Sequence, residues 1–351
     1  MRPSLGETFR TFATRQAAGV SALYEQLAHA VAGHPGLLEL AAHARAGQPA
    51  PNMLLGAVHY LVRHHPGDPL AAYYDGTIRT SDELIGATDL FARFCTRHRP
   101  EILELLATRS VQTNEVRRAA VLLPAFAMIT QNTDTAIHVI DVGCSAGLTL
   151  LWPRFQYRYD VTRVVFPTST SLELCCQPRG AVPPLEVDPH RFANLIGVEV
   201  HPIDLSDSDT RDWLDALCWP EQTDRRRLLR DAIALATRHP PRVIDADATR
   251  ELPAIIEQVP TDATPCVVCC WSIYQIYGTP GGRERLVDQL ADINRPVWEV
   301  SVGHFGRLTP IMILAYHHNG THHERIIASC DVYGRWIRWH CTDQDGGLRC
   351  P

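Results

Sequence analysis

Ile137-His-Val-Ile-Asp-Val-Gly-Cys-Ser-Ala-Gly-Leu-Thr-Leu150 is the stretch on which the reading of this chain turns. Ile137 to Val142 is apolar enough for a buried strand, Gly143 to Gly147 is a run of small residues, and Leu148 opens the next helix. In an open α/β sheet the turn after the first strand lets backbone N–H groups approach a ligand closely. Glycine is needed there wherever a Cβ would collide or φ must be positive. The spacing Asp141-x-Gly143-x-Ser145-x-Gly147 departs from the Gly-x-Gly-x-x-Gly of dinucleotide sites. A nucleotide-cofactor loop of another type is the expectation.

Composition narrows the classes around this loop. With 351 residues, 45% of them hydrophobic, the chain can bury a large core and is long enough for two domains. A formal net charge of -6 leaves no broad cationic field for a phosphate backbone, so nucleic acid is not an expected partner. Met1 to Val20 lacks an apolar core of signal-peptide length, and no run approaches the roughly 20 apolar residues of a membrane span. A cytoplasmic protein without a membrane partner is expected; oligomeric state is left open. Every basic residue is arginine, and there is no lysine. A pyridoxal phosphate Schiff base and a P-loop lysine are thereby excluded.

The 11 cysteines include the adjacent pairs Cys175-Cys176 and Cys269-Cys270 but no zinc-ribbon spacing, and reduced buried thiols are expected. His317, His318, His322 and His323 flank Asn319-Gly320, a hairpin-turn dipeptide. No nearby carboxylate or cysteine frame with zinc spacing accompanies them, so a solvent-facing hairpin and no metal are expected.

From Leu5 to about Ile129 apolar residues recur at three and four, which predicts helices, with longer ones at about Ser4 to Ala32 and Asp82 to Ala107. From Thr135 short apolar strands alternate with helices, the mark of βαβ units. Strands are expected at His138 to Val142, Ile196 to Val200, Val243 to Asp247, Cys266 to Trp271 and Val297 to Val302. A hairpin of Ile311 to His317 and Arg325 to Ser329 follows, and Arg335 to His340 extends its edge. The expected division is a helical cap domain over 1–130 and an α/β domain over 131–351. About fifty residues separate Gly147 from Glu199, so a β-rich excursion is placed at about 157–190.

The loop pattern resembles the first motif of class I S-adenosylmethionine (SAM) methyltransferases. That resemblance implies SAM as cofactor, held at Asp141, Gly143, Ser145 and Gly147. It also implies a Rossmann-like α/β sheet of five parallel strands plus a C-terminal antiparallel hairpin. Glu199, after the second strand, then takes the role of the ribose acid, and Asp247, followed by Ala248, that of the adenine-side acid. Four further stretches make the whole chain similar to the domain of unknown function 2332 family of bacteria. They are Leu55-Gly-Ala-Val-His-Tyr-Leu61, Gln112-Thr-Asn-Glu-Val-Arg-Arg-Ala119, Val142-Gly-Cys-Ser-Ala-Gly-Leu148 and Trp219-Pro-Glu-Gln-Thr-Asp-Arg-Arg-Arg-Leu228. The resemblance implies a helical N-terminal region on a SAM-methyltransferase-like domain and brings no established reaction. Where the family pattern has asparagine after the Gly-Leu pair and glutamate after the fifth strand, this chain has Thr149 and Gly303-His304.

Other residues compete for chemical roles. In Gln112 to Arg118, Thr113 suits a helix cap and Glu115 the first turn; equally, Asn114 and Glu115 suit the cofactor's methionine arm, with Arg117 or Arg118 for its carboxylate. After the fourth strand, Trp271-Ser-Ile-Tyr274-Gln-Ile-Tyr277 replaces the Asn/Asp-Pro-Pro-aromatic motif of nitrogen methyltransferases. Trp271 and Tyr277 are either cation–π partners of a sulfonium or core rings. Tyr274 and His304 join Glu115 as candidate bases. Three readings stay open: methyl transfer to a small molecule, a SAM-consuming lyase or cyclase, and a SAM or nucleoside binder without catalysis. The second would release methylthioadenosine and form a cyclic amino acid such as 1-aminocyclopropane-1-carboxylate without pyridoxal phosphate.

Overall fold

Helical spacing early in the chain and short apolar runs later sort it into two structural units. The computed structural model describes residues 3–76, 81–112 and 114–341. One unit is Met1–Thr113 with Ser206–Arg230, and the other is Asn114–Leu205 with Asp231–Pro351.

The first unit is helical. Leu5–Phe12 begins in a capping box, in which Ser4 Oγ accepts from Glu7 N–H and Glu7 Oε2 accepts from Ser4 N–H at 2.7 Å. The single helix expected from Ser4 to Ala32 is broken. A π turn at Ala13–Ala17 and Gly19 at φ +72° interrupt it, and Ser21 caps a new helix, Ala22–Gly33. The stretch Asp82 to Ala107 likewise divides into Ala87–Arg97 and Arg99–Thr108, the second with Pro100 in its first turn, where the missing N–H does no harm. Phe9, Phe12, Tyr24, Leu54 and Phe91 form the core together with Trp213 and Trp219, which the chain supplies on its return. Beside them the buried carboxylate of Asp215 pairs with Arg63 at 2.7 Å and Arg230 at 2.8 Å.

The unit boundary falls near 113 rather than 130. Helix Arg118–Gln131 is buried from Ala119 through Ile129, on every face, so it is an interior helix of the second unit.

The second unit is α/β, built on a large, mostly parallel sheet. Its strands are β1 (Ala136–Val142), β2 (Phe192–Glu199), β3 (Arg242–Asp245), β4 (Ala263–Cys270), β5 (Val297–Gly303), β6 (Ile311–His318), β7 (Thr321–Cys330) and β8 (Trp336–Trp339). The spatial order is β3-β2-β1-β4-β5-β6-β7-β8, closed by Gln177–Pro178, nine strands among the described residues. Neighbours from β3 to β5 are parallel, and β6, β7 and β8 add antiparallel pairings. Asn319 at φ +51° and Gly320 at φ +72° form the hairpin turn between β6 and β7. Strand order reverses between β1 and β4, so the loop after β1 opens at the switch point where ligands bind in such sheets. The excursion before β2 carries Gln156–Tyr159, Thr162–Val165 and Glu173–Cys175, a small three-stranded sheet.

The histidine cluster differs from expectation. His322 and His323 are exposed, but His317 is buried with Glu299, to which its Nε2 lies at 2.8 Å. Glu299 and Ala315 are register partners, and His317 lies two residues along from Ala315, on the same face. Burial opposes ionisation of Glu299. The His317 hydrogen bond, the charges of Arg283 and His317, and the Ser301 hydroxyl nevertheless hold its carboxyl below the usual range. Described residues contain no group of three or more His, Cys, Asp or Glu arranged for a metal. The ten described cysteines are unbridged. No described helix is long and apolar enough to cross a membrane.

Asp215→Ala removes the carboxylate that gathers Arg63 and Arg230. The expected loss is about 1.5–3 kcal/mol, the scale of hydrogen bonds to charged groups. It should appear as a lower thermal midpoint by circular dichroism; an unchanged midpoint would show that the pairing contributes nothing.

Candidate functional site

The loop after β1 is held from several directions. Gly143, at φ +73°, donates its N–H to Val198 O on β2 at 2.8 Å. A Cβ there would meet Ser272 Cβ at 2.5 Å and Ile276 Cδ1 at 2.7 Å, so only glycine fits. Ser272 is buried after β4, and its hydroxyl donates to Val142 O. Ser145, at φ +56°, donates its N–H to Glu199 Oε2 at 3.0 Å. Asn114 braces the same turn twice: its Oδ1 accepts from Ala146 N–H at 3.1 Å and its Nδ2 donates to Ser145 Oγ at 3.1 Å. Gly147, at φ +68°, caps the helix expected after the turn, which is a 3-10 helix, Leu148–Arg154.

Asp141 lies beneath this loop, 3% exposed, and accepts from Thr149 Oγ1 at 2.6 Å. Burial pushes its carboxyl up to about 6; the Thr149 hydrogen bond opposes this and the charge of Glu199 adds to it. Thr149 thus orients an acid of the loop. Glu199 also receives His201 N–H at 3.4 Å. These contacts bring Asn114, Ser145 and Glu199 together, with Asp141 close enough to feel the charge of Glu199.

Glu115 is buried on the segment entering helix Arg118–Gln131. That segment is clamped by the turn Asp331–Arg335. Gly334, at φ +70°, approaches so closely that a Cβ would stand 2.7 Å from Arg117 O, and Arg118 Nε donates to Val332 O at 3.1 Å. Asp331 stabilises the turn by accepting from Arg335 Nε at 2.8 Å and its terminal nitrogen at 3.0 Å. The Arg118 guanidinium stacks 4.2 Å from the centroid of the Trp271 ring. Sequence reasoning missed Ser272, the Arg118–Trp271 stack and the clamping turn. Of these, only the turn had a local signal, in Asp331-Val-Tyr-Gly-Arg335.

The remaining candidates follow β3, β4 and β5. Asp247 is the N-cap of helix Ala248–Glu257: its Oδ1 accepts from Thr249 N–H at 2.9 Å and from the Thr249 hydroxyl at 2.6 Å. The Thr249 hydroxyl, more than any other contact, holds Asp247 below the usual carboxylate range. Ala248 is buried as the first residue of that helix. Tyr277 is a core ring whose hydroxyl donates to Gln289 Oε1 at 2.7 Å, and burial raises its pKa. Tyr274 is 37% exposed and packs against Phe305 with centroids 5.8 Å apart. His304 is exposed, its Nδ1 3.1 Å from Arg307 O. Thr113, the expected cap, lies outside the described residues.

The family model described as an uncharacterized protein conserved in bacteria (DUF2332) matches residues 6–339. No curated protein matches the chain.

The raised Asp141 carboxyl predicts a pH effect. Its pKa rises from 3.8 unfolded to about 6 folded, so the folded state holds more protons across that window. Stability therefore falls as pH rises from about 4 through 6. Asp141→Asn, which still accepts from Thr149, should gain on the parent over this interval by up to about 3 kcal/mol. Thermal midpoints from pH 4 to 7 test this; a pH-independent difference would contradict it.

Proposed function

The chain belongs to the DUF2332 family, and from the geometry at the β1–β4 switch point we propose that it binds SAM and transfers the methyl group to a small molecule. The observation that carries this reading is the hydrogen bond from Ser145 N–H to Glu199 Oε2, which seats the second-strand acid on the glycine loop. A carboxylate offers about four acceptor sites, so Glu199 retains capacity for ribose hydroxyls beside the loop N–H. Gly143 and Gly147 present backbone without Cβ atoms, and Asn114 holds the turn between them. Asp247 and Ala248, at the start of the helix after β3, suit the adenine side. The sheet supports the class I Rossmann-like assignment through its five consecutive parallel strands and the antiparallel hairpin that follows.

SAM, when bound, supplies an electrophilic methyl on a sulfonium. The protein's part is alignment of a nucleophile and exclusion of water, where proximity contributes most of the rate. Tyr274 and His304, at the ends of β4 and β5, are the side chains available to orient or deprotonate that nucleophile, with Glu115 as the buried alternative.

One observation favours a second reading, in which SAM is itself the substrate. After β4 the chain offers Trp271, a donor only, and Ser272, whose hydroxyl is held by Val142 O. The indole has no lone pair to accept a nucleophile's N–H, and Ser272, although its Oγ keeps acceptor capacity, is buried against Gly143. Attack within the aminobutyrate arm would expel methylthioadenosine and leave a small cyclic amino acid, by a route that needs no lysine-bound cofactor.

Incubation of the protein with SAM, followed by mass spectrometry, separates the readings. S-adenosylhomocysteine formed only with an added acceptor means methyl transfer; methylthioadenosine above the spontaneous background means cleavage of the arm; binding without either product means a non-catalytic binder. Gly143→Val and Glu199→Ala should each weaken SAM about tenfold or more, on the scale of one charge-assisted hydrogen bond. Unchanged affinity in both would remove the site. Tyr274→Phe and His304→Ala should spare SAM binding and slow turnover; full rate in both would dismiss them as the base.

A further inference from the structure

Trp271 combines two unfavourable features at the ligand end of the sheet. Its backbone lies at φ +61°, in the left-handed region that bulky residues avoid, and its indole Nε1 is buried with no hydrogen-bond partner. The first has a local explanation. Trp271 N–H donates to Val302 O at 2.8 Å, and the left-handed turn then delivers Ser272 onto Gly143. The second has none within the protein. The buried indole N–H is a donor without an acceptor, and each such group in a folded protein calls for an explanation.

The surroundings specify that acceptor. Arg118 lies 4.2 Å from the ring centroid, so this face of the indole already carries a cation and is closed to a sulfonium. Its Nε is tied to Val332 O, which fixes the plane of the guanidinium over the ring. Indole and guanidinium both donate and neither accepts. Two donor groups side by side, one of them cationic, match a carboxylate better than an amine, an amide N–H or a neutral ring.

We infer that Trp271 and Arg118 form a carboxylate clamp for the amino-acid arm of the bound ligand, the indole N–H donating to a carboxylate oxygen and Arg118 supplying the opposing charge. This rests on the SAM reading and adds to it a residue that selects the ligand. Trp271 is then a recognition residue for the anionic end, and the cation–π role toward the sulfonium falls away. Asn114, on the same entering segment as Arg118, braces the loop. Gly334 and the Asp331–Arg335 turn keep Arg118 in place.

Calorimetric titration with SAM and with decarboxylated SAM tests the clamp, because the second ligand keeps the sulfonium and the adenosine but lacks the carboxylate. The parent protein should bind SAM at least about tenfold more tightly than the decarboxylated ligand. Trp271→Phe keeps a ring beneath Arg118 and removes only the N–H donor. It should weaken SAM by about tenfold and leave decarboxylated SAM unchanged. Arg118→Gln, which keeps the indole, should show the same selectivity and serves if Trp271→Phe melts below the assay temperature. Equal weakening of both ligands in either variant, or no weakening of SAM, overturns the clamp while leaving SAM binding intact. Failure of the parent protein to bind either ligand overturns the SAM reading and the clamp with it.

Discussion

The contact between Ser272 and Gly143 is the constraint on which the arrangement of this site rests. β1 and β4 are neighbours in the sheet and their connections diverge beyond it, so the turns that leave them must pass within van der Waals distance. Glycine at 143 makes that passage possible, and the Ser272 hydroxyl fastens it to the last carbonyl of β1. The other loop contacts follow from this height. Ser145 N–H comes within reach of Glu199, and Asn114 bridges the turn. Trp271 takes its unusual backbone conformation because the residue after it has this task.

Charge is distributed around the loop in two ways. Burial pushes the Asp141 carboxyl up, and the charge of Glu199 adds to that push. Glu299, deeper in the sheet and fully buried, remains an anion because His317, Arg283 and Ser301 surround it. Buried carboxylates on β1 and β5 thus reach opposite outcomes. Burial decides for the one whose strongest partner is a neutral hydroxyl, and paired charge decides for the other.

Much of the second unit was legible from residue order. The strands were placed within a few residues, and the hairpin turn at Asn319-Gly320 formed where its dipeptide predicts. These features depend on local pattern, which a single chain displays. Glu299 could have been noticed as an acid inside the apolar run Val297-Trp-Glu-Val-Ser-Val302. Its partner His317 was hidden, because pairing across strands decides which histidine of a cluster turns inward. Helix length in the first unit was overestimated, since periodicity continues through interruptions such as Gly19 and the junction before Pro100. Asn114 was read as a ligand contact, and its place bracing the loop comes from tertiary approach. Asp247 was ambiguous between cap and ligand; Thr249 accounts for the cap.

The division of the helical unit between Met1–Thr113 and Ser206–Arg230 bears on how the chain matures. Trp213 and Trp219 sit in the same core as Phe9, Phe12 and Tyr24, yet the ribosome delivers them only after all of Asn114–Leu205 has emerged. The opening helices must wait with apolar faces uncovered while β1 and β2 are being made. Domains otherwise tend to fold in order of synthesis. The helical unit begins first but lacks part of its core until Arg230 has been made, and until then the nascent polypeptide holds exposed surface of the kind that chaperones engage.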